Sequence, residues 1–293
     1  MRPHRQTDVP MTIVDAHHHL WDPEVGSYPW MTGDFAALRR RYDFADLQPH
    51  LRANGVSRTI VVQVRADMAE TRELLELSSH TPAIVGVVGW VDLTASDVGD
   101  QIDTLRASPG GHRLVGLRHG VADEPDPRWL LRTDVDDAMR AITARNLAFD
   151  LEITDREAAA ADTLADRHPE LRLVVDHGAK PPIAAGWSAY WANGITALAG
   201  HPNVWCKLSG LVTEASWTTW TPADLQPYID HLVSAFGAQR MMFGSDWPVC
   251  ELAADYDGVL AAATQSLASL DEVDSRNIFC HNAINFYFPD GIS

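Results

Sequence analysis

The chain has 293 residues, 46% of them hydrophobic, and a formal net charge of −17. That length suits one α/β barrel, and that apolar fraction supports a large core and argues against disorder. The acidic balance argues against nucleic acid or anionic lipid as partners. The three cysteines, Cys206, Cys250 and Cys280, lie far apart with no CxxC pair. They favour neither a disulfide framework nor a cysteine zinc cluster, and a reducing cytoplasm is the expected location.

Residues 1–11 read as a flexible leader with no apolar stretch after it, so a secretory signal is not expected. No apolar run is long enough to span a membrane. Residues 12–293 then alternate short apolar runs with longer amphipathic stretches. The run Ile13–Val14 comes first, and Trp21–Tyr42 follows as a long loop of the kind that covers a site. After a helix at Phe44–Ala53 come a strand at Arg58–Val64 and a helix at Ala69–Ser78. Strands at Ala83–Val91 and Leu114–Leu117 bracket a helix at Val98–Arg106, and Val135–Arg145 is the next helix. The strand Leu147–Ile153 leads into a helix at Arg156–Arg167, with Asp155 suited to its N-terminus. Leu171–Val175, Val204–Leu208 and Arg240–Phe243 complete the strands. Ala189–Leu198, Ala223–Phe236 and Asp257–Leu270 complete the helices, and Thr221-Pro222 is a helix-start signature.

Near-continuous Val/Ile/Leu strands alternating with helices predict a parallel sheet buried on both faces. Eight such units predict a single-domain (β/α)8 barrel of the TIM type. A doubly wound sheet would carry a glycine cradle at its first βα turn, where this chain has Asp15-Ala16-His17-His18-His19.

Barrel chemistry sits at strand C-termini, and the predicted strand ends are rich in metal-ligating and proton-moving groups. Strand alternation puts His17 and His19 on one face, with Asp15 deeper on the same face and His18 on the other. Strand four ends in Arg118 and His119, strand five carries Glu152, and strand six ends in Asp176-His177 with Lys180 after it. Asp246 follows the last strand, where partial desolvation suits a carboxylate to act as a general base. Of 23 basic residues only Lys180 and Lys207 are lysines, and both fall on or just past strands. Each reads as functional, with a buried ion pair as the equal alternative for Lys207, and the same ambiguity holds for Arg118. Glu152 is either a ligand or the partner of one of these cations. Trp21, Trp30, Trp90, Trp217 and Trp247 fall at or after strand ends; singly they read as packing, as a group they suit a ring-shaped ligand.

Six strings carry a family likeness: Ile13-Val14-Asp15-Ala16-His17-His18-His19-Leu20-Trp21, Gly116-Leu117-Arg118-His119, Glu124-Pro125-Asp126-Pro127, Asp176-His177-Gly178-Ala179-Lys180-Pro181-Pro182, Lys207-Leu208-Ser209-Gly210-Leu211 and Phe243-Gly244-Ser245-Asp246-Trp247-Pro248. They resemble the amidohydrolase-2 branch of the amidohydrolase superfamily, and within it the sugar-lactonase group that includes L-fuconolactone and L-rhamnonolactone hydrolases. The similarity runs from Ile13 to about Asn282-Ala283. It implies a barrel and hydrolysis of an aldonolactone. His17, His19, His177 and Asp246 match the family's ligand positions, with Asp246 and His177 catalytic. Arg118, His119, Glu152, Lys180, Lys207, Trp21 and Trp30 are expected to bind substrate. No lysine ends strand four, so the bridging carbamylated lysine of binuclear relatives is absent. At most one divalent ion, zinc or manganese, is expected, and some relatives in the branch work without one. The motif at Lys180 reads His-Gly-Ala-Lys where His-Leu-Gly-Lys is commoner. A zinc-dependent aromatic-acid decarboxylase or hydratase would share the same histidine and aspartate set, and a non-catalytic binding barrel is the reading from another class. The expected partner is a small sugar lactone, and a homo-oligomer is compatible with the sequence.

Overall fold

A computed structural model describes residues 12–292. The expected leader, residues 1–11, lies outside them. Eight parallel strands follow one another round a single sheet in chain order: β1 Ile13–His18, β2 Val56–Val62, β3 Ile84–Gly89, β4 Leu114–Gly120, β5 Ala148–Glu152, β6 Leu173–Val175, β7 Val204–Leu208 and β8 Met241–Phe243. Past the end of β8 the chain meets β1. His19 N donates to Trp247 O at 2.7 Å, and Asp246 N donates to His17 O at 2.8 Å. The seam that makes the sheet a barrel is therefore made by residues that the sequence marks as candidates for the chemistry.

The helices alternate with the strands as α1 Phe44–Ala53, α2 Met68–His80, α3 Val98–Arg106, α4 Thr133–Ala144, α5 Ala158–Arg167, α6 Ala189–Ala199, the single turn α7 Leu211–Glu214, α8 Pro222–Phe236 and α9 Tyr256–Ser266. The short α10 Glu272–Arg276 and α11 Asn282–Tyr287 follow, joined by a π-helical turn at Asn277–His281. The approach to α5 differs from expectation: a 3-10 turn at Asp155–Glu157 precedes it, and Thr154, not Asp155, caps that turn in a reciprocal capping box with Glu157. The Thr221-Pro222 signature opens α8 as expected, with Thr221 and Asp224 forming a second capping box.

The core has two parts. The larger packs the outer strand faces against the helices, with side chains such as Phe149, Leu151, Ile195 and Leu232. The smaller gathers Val14, Ala16, Ile60, Val62, Val88, Val174 and Met242, and α11 packs Phe286 and Tyr287 against it. α11 is tied to β8 by Asn282, whose Nδ2 donates to Ala238 O and Met241 O, both at 2.7 Å.

β1 departs from simple alternation. Asp15 pairs with Thr59 and His18 with Val61, so three steps on β1 face two on β2. This extra residue is a β-bulge, which reverses the facing of everything after it. Asp15 is therefore not on the His17/His19 face. Its carboxylate accepts from Ser245 N at 2.9 Å, Ser245 Oγ at 2.7 Å and the Tyr256 hydroxyl of α9 at 3.0 Å.

Asn282→Ala should destabilise the fold by about 2 kcal/mol, because two buried carbonyls lose their donor. A urea titration of the variant against the parent measures it; a difference below roughly 0.5 kcal/mol would show that α11 does not brace β8 in this way.

Candidate active site

The bulge in β1 brings His17 and His19 together with their Nε2 atoms 3.0 Å apart. Gly244, just past β8, permits this: a Cβ there would lie 2.6 Å from the His17 Cβ. The chain then turns through Asp246 in the left-handed region, with φ +56°. That turn carries the Asp246 Oδ1 to 3.4 Å from His19 Nε2, 3.8 Å from His17 Nε2 and 3.9 Å from His177 Nε2. His177 arrives from the end of β6 on a left-handed run, His177-Gly178-Ala179-Lys180, with φ between +48° and +57°. Non-glycine residues in this region each cost about 1–3 kcal/mol, and such strain collects at functional sites. Here the Trp191 indole, donating to Gly178 O at 2.8 Å, helps hold the run. His177 also needs room from Gly210, where a Cβ would come within 2.6 Å of its Nδ1.

Tautomers follow from the partners. Val62 O can only accept, so His19 donates to it from Nδ1 at 2.9 Å and presents a bare Nε2 to the centre. Lys207 Nζ stands 3.0 Å from His17 Nδ1 and can only donate, which leaves the His17 proton on Nε2, facing His19. His177 Nδ1 meets Ser209 Oγ at 2.9 Å. Burial, with nearby cations adding to it, holds all three imidazoles below their usual range, His19 at about 3. They are neutral at neutral pH. Burial pushes the Asp246 carboxyl up, against the pull of His177, Arg118 and Lys180. An aspartate made more basic among neutral imidazoles is suited to accept a proton.

Beneath this face lies a layer of buried charge. Lys207 has no exposed surface and bonds Asp150 at 2.5 Å and Asp176 at 2.9 Å. Asp150 also accepts from the Tyr287 hydroxyl at 2.8 Å. Arg118 reaches Asp176 at 3.2 Å and Gln63 O at 2.5 Å, and its Nη1 lies 3.4 Å from His17 Nε2. Burial raises Asp176, but Lys207, His17 and Arg118 together hold it well below the usual carboxylate range. Asp150 is pushed up to about 6 by burial despite Lys207.

Above the face opens a cavity of about 650 Å³. Of the expected residues, Trp21, Trp30, Arg118, His119, Glu152 and Lys180 line it together with His19, His177 and Asp246. Lys180 pairs with Glu152. His119 accepts from Trp90 Nε1 at 3.2 Å, meets Glu124 Oε1 at 2.7 Å and stacks on Trp129 with centroids 4.3 Å apart. Trp21 gives its indole N–H to Leu38 O and Arg40 O, so it offers the cavity only ring surface. The expected long loop carries Trp30 and Phe35 over the opening, and Phe35 reaches Trp217 at 5.5 Å. Lys207 stands apart, below the histidines and outside the cavity wall. Sequence reasoning did not single out Asp150, Gln63, Tyr287 or Glu214. A signal existed for Asp150, a carboxylate in the middle of the apolar run Leu147–Ile153. Glu214 follows a glycine after β7 and looks like any surface acid.

The nitrogens of His17 and His19 and the Asp246 carboxylate, 3.0 to 3.8 Å apart, can hold a divalent ion. Ligands at zinc distance on a tetrahedron stand roughly 3.3 Å from one another. His17, Asp176 and His177 form a second such group sharing His17.

Residues 14–288 match the family model described as Amidohydrolase. An L-fucono-1,5-lactonase of Burkholderia ambifaria is 40% identical over 284 residues, covering 94% of this chain and 96% of that protein. An L-fucono-1,5-lactonase of Burkholderia multivorans is 38% identical over 260 residues, covering 84% and 85%. A crystal structure of a Burkholderia multivorans amidohydrolase with bound zinc superposes with a TM-score of 0.89 at 33% identity, covering 94% of this chain and 99% of that one. The chain belongs to the amidohydrolase family and is an enzyme, and the resemblance to sugar lactonases read from its motifs is borne out. A 2,6-dihydroxybenzoate decarboxylase from Rhizobium, at 16% identity and TM-score 0.66, shares the fold.

Replacing Lys207 by Met leaves buried Asp150 without a cation and Asp176 with Arg118 alone, and stability should drop by about 3–5 kcal/mol. Adding Asp150→Asn to that variant should restore part of it. Chemical denaturation of the single and double variants decides the matter; a Lys207→Met protein as stable as the parent would mean the cluster contributes no net pairing.

Proposed function

We propose that the protein hydrolyses a sugar-derived lactone, an aldono-1,5-lactone of the L-fucono type, with Asp246 as the general base. The observation that carries the reading is the position of Asp246, its oxygen among three neutral imidazoles on the floor of a cavity lined by both aromatic and charged side chains. The names of the two lactonases related to this chain along most of its length support the substrate class.

In this mechanism a water beside Asp246 loses its proton to the raised carboxyl as it attacks the lactone carbonyl. With Ser209 Oγ donating to His177 Nδ1, Nε2 carries the ring proton and donates a hydrogen bond to the growing oxyanion. Arg118 and Lys180, each held by carboxylate partners, add fixed positive charge at the cavity wall. Asp246 then returns its proton to the ring oxygen as the C–O bond breaks, giving the open hydroxy acid. His17, His19 and Asp246 would hold a divalent ion, which when bound polarises the carbonyl and lowers the pKa of water. A chain ligand shift would go with it, because His17 must free its Nε2 by moving its proton to Nδ1, where Asp176 Oδ1 lies 3.4 Å away.

A pH-indicator assay over a panel of aldonolactones should show turnover. Asp246→Asn should lower kcat by roughly 10²–10⁴ with an unchanged circular dichroism spectrum. Near-parental turnover by that variant removes Asp246 from the role of base, and no lactone opened by the parent protein removes the substrate class. Calorimetric titration of chelator-treated protein with zinc should give one site that His19→Ala abolishes; equal binding by the variant would place the ion elsewhere.

A further inference from the structure

Most polar groups facing the cavity are already committed. Lys180 is paired with Glu152, His119 with Glu124, and Arg118 with Asp176. Away from Asp246 and the exposed Asp123, Gln63 and Glu214 are not. Gln63, at the end of β2, is 4% exposed. Its amide nitrogen donates to Arg118 O at 3.3 Å, while its Oε1 is buried without a partner. Glu214 ends the one-turn helix α7, which the left-handed Gly210 launches directly after β7. It lines the same cavity, and among the described residues no donor reaches its carboxyl. Burial pushes Glu214 up to about 7 against the pull of the nearby Lys180 ammonium, which Glu152 holds. A buried acceptor left without a donor costs about 1–3 kcal/mol, and proteins keep few of them. The buried Gln63 oxygen and the half-buried Glu214 carboxyl, on strand ends well separated round the barrel and facing one cavity, point to a ligand that supplies the donors.

We propose that Gln63 and Glu214 are specificity-determining residues, accepting hydrogen bonds from hydroxyl groups at two different positions of a neutral, polyhydroxylated lactone ring. This rests on the lactonase reading and deepens it. A carboxylate-bearing substrate would bring a further negative charge to a wall that already carries Glu214, Glu152 and Asp246. A ring without hydroxyls would leave both acceptors bare after the cavity closes on it. Hydroxyl groups satisfy them without adding charge, and a site built to bond a substrate hydroxyl discriminates strongly against the analogue that lacks it.

The test measures kcat/KM for an aldono-1,5-lactone and for δ-valerolactone, the same ring without hydroxyls, and takes their ratio. Glu214→Leu should lower that ratio roughly 10- to 100-fold, mainly through KM for the hydroxylated substrate. Glu214→Gln, which keeps an acceptor oxygen, should recover most of it. Gln63→Met should lower the ratio independently, and the double variant should lower it further. A ratio unchanged in both Glu214→Leu and Gln63→Met overturns the proposal while the lactonase reading stands. A proportional loss on both substrates also overturns it, because that is what a merely structural role produces. If the parent protein opens neither lactone, the lactonase reading fails and the specificity proposal falls with it.

Discussion

A lysine without exposed surface is held at the centre of the barrel between two aspartates, and the active face above depends on it. Burying Lys207 alone would be prohibitive, and burying Asp150 and Asp176 without it equally so. Together with Arg118 the four formal charges cancel, and the Tyr287 hydroxyl meets part of the remaining hydrogen-bonding demand of Asp150. The consequence reaches the surface of the cavity through one contact. Lys207 can only donate to His17, so it selects the His17 tautomer, and the proton facing His19 follows from that choice. Replacing the whole charged cluster by hydrophobic residues of similar volume would remove the desolvation penalty and this selection with it.

The second constraint is geometric. Three strand ends must deliver side chains to a space a few ångströms across, and regular strands do not do so. β1 uses a bulge, which turns His17 and His19 inward while Asp15 turns outward to Ser245 and Tyr256. The segments after β6 and β8 use left-handed backbone at His177 and Asp246. Each departure would be unfavourable alone. They are held by contacts between the same residues, since Asp246 N bonds His17 O and Ser245 bonds Asp15. Seam closure, the bulge and the Asp246 carboxylate are thus one cooperative unit, preorganised before any ligand arrives.

The barrel was legible because its signal is redundant: apolar strands buried on both faces, repeated eight times with helices between. His17, His19, His177 and Asp246 were legible because ligating residues at strand ends stand out against apolar runs. What sequence alternation misplaced was Asp15, because a one-residue bulge is invisible to a rule that counts by twos. Lys207 could be recognised as unusual without its role being settled, since an ion pair and a substrate contact demand the same residue type. Gln63 and Glu214 carried no pattern at all. Their meaning lies in which neighbours already have partners, a property of the folded molecule and not of any local string.

Charge offers a last connection between chain and chemistry. The surface is strongly acidic at a net −17, and the cavity wall adds Glu124, Glu152 and Glu214 above Asp246. A neutral lactone meets no net electrostatic barrier from such a field as it approaches. In the reaction proposed above its hydrolysis creates a carboxylate inside the same cavity, where Arg118 and Lys180 would stabilise the anionic transition state locally while the wider field opposes retention of the product. The cations are tied to Asp176 and Glu152 and cannot follow the product outward. Stabilisation is therefore confined to the point where charge develops, and the surrounding acidity, which the sequence alone would assign to solubility, favours release of the acid once formed.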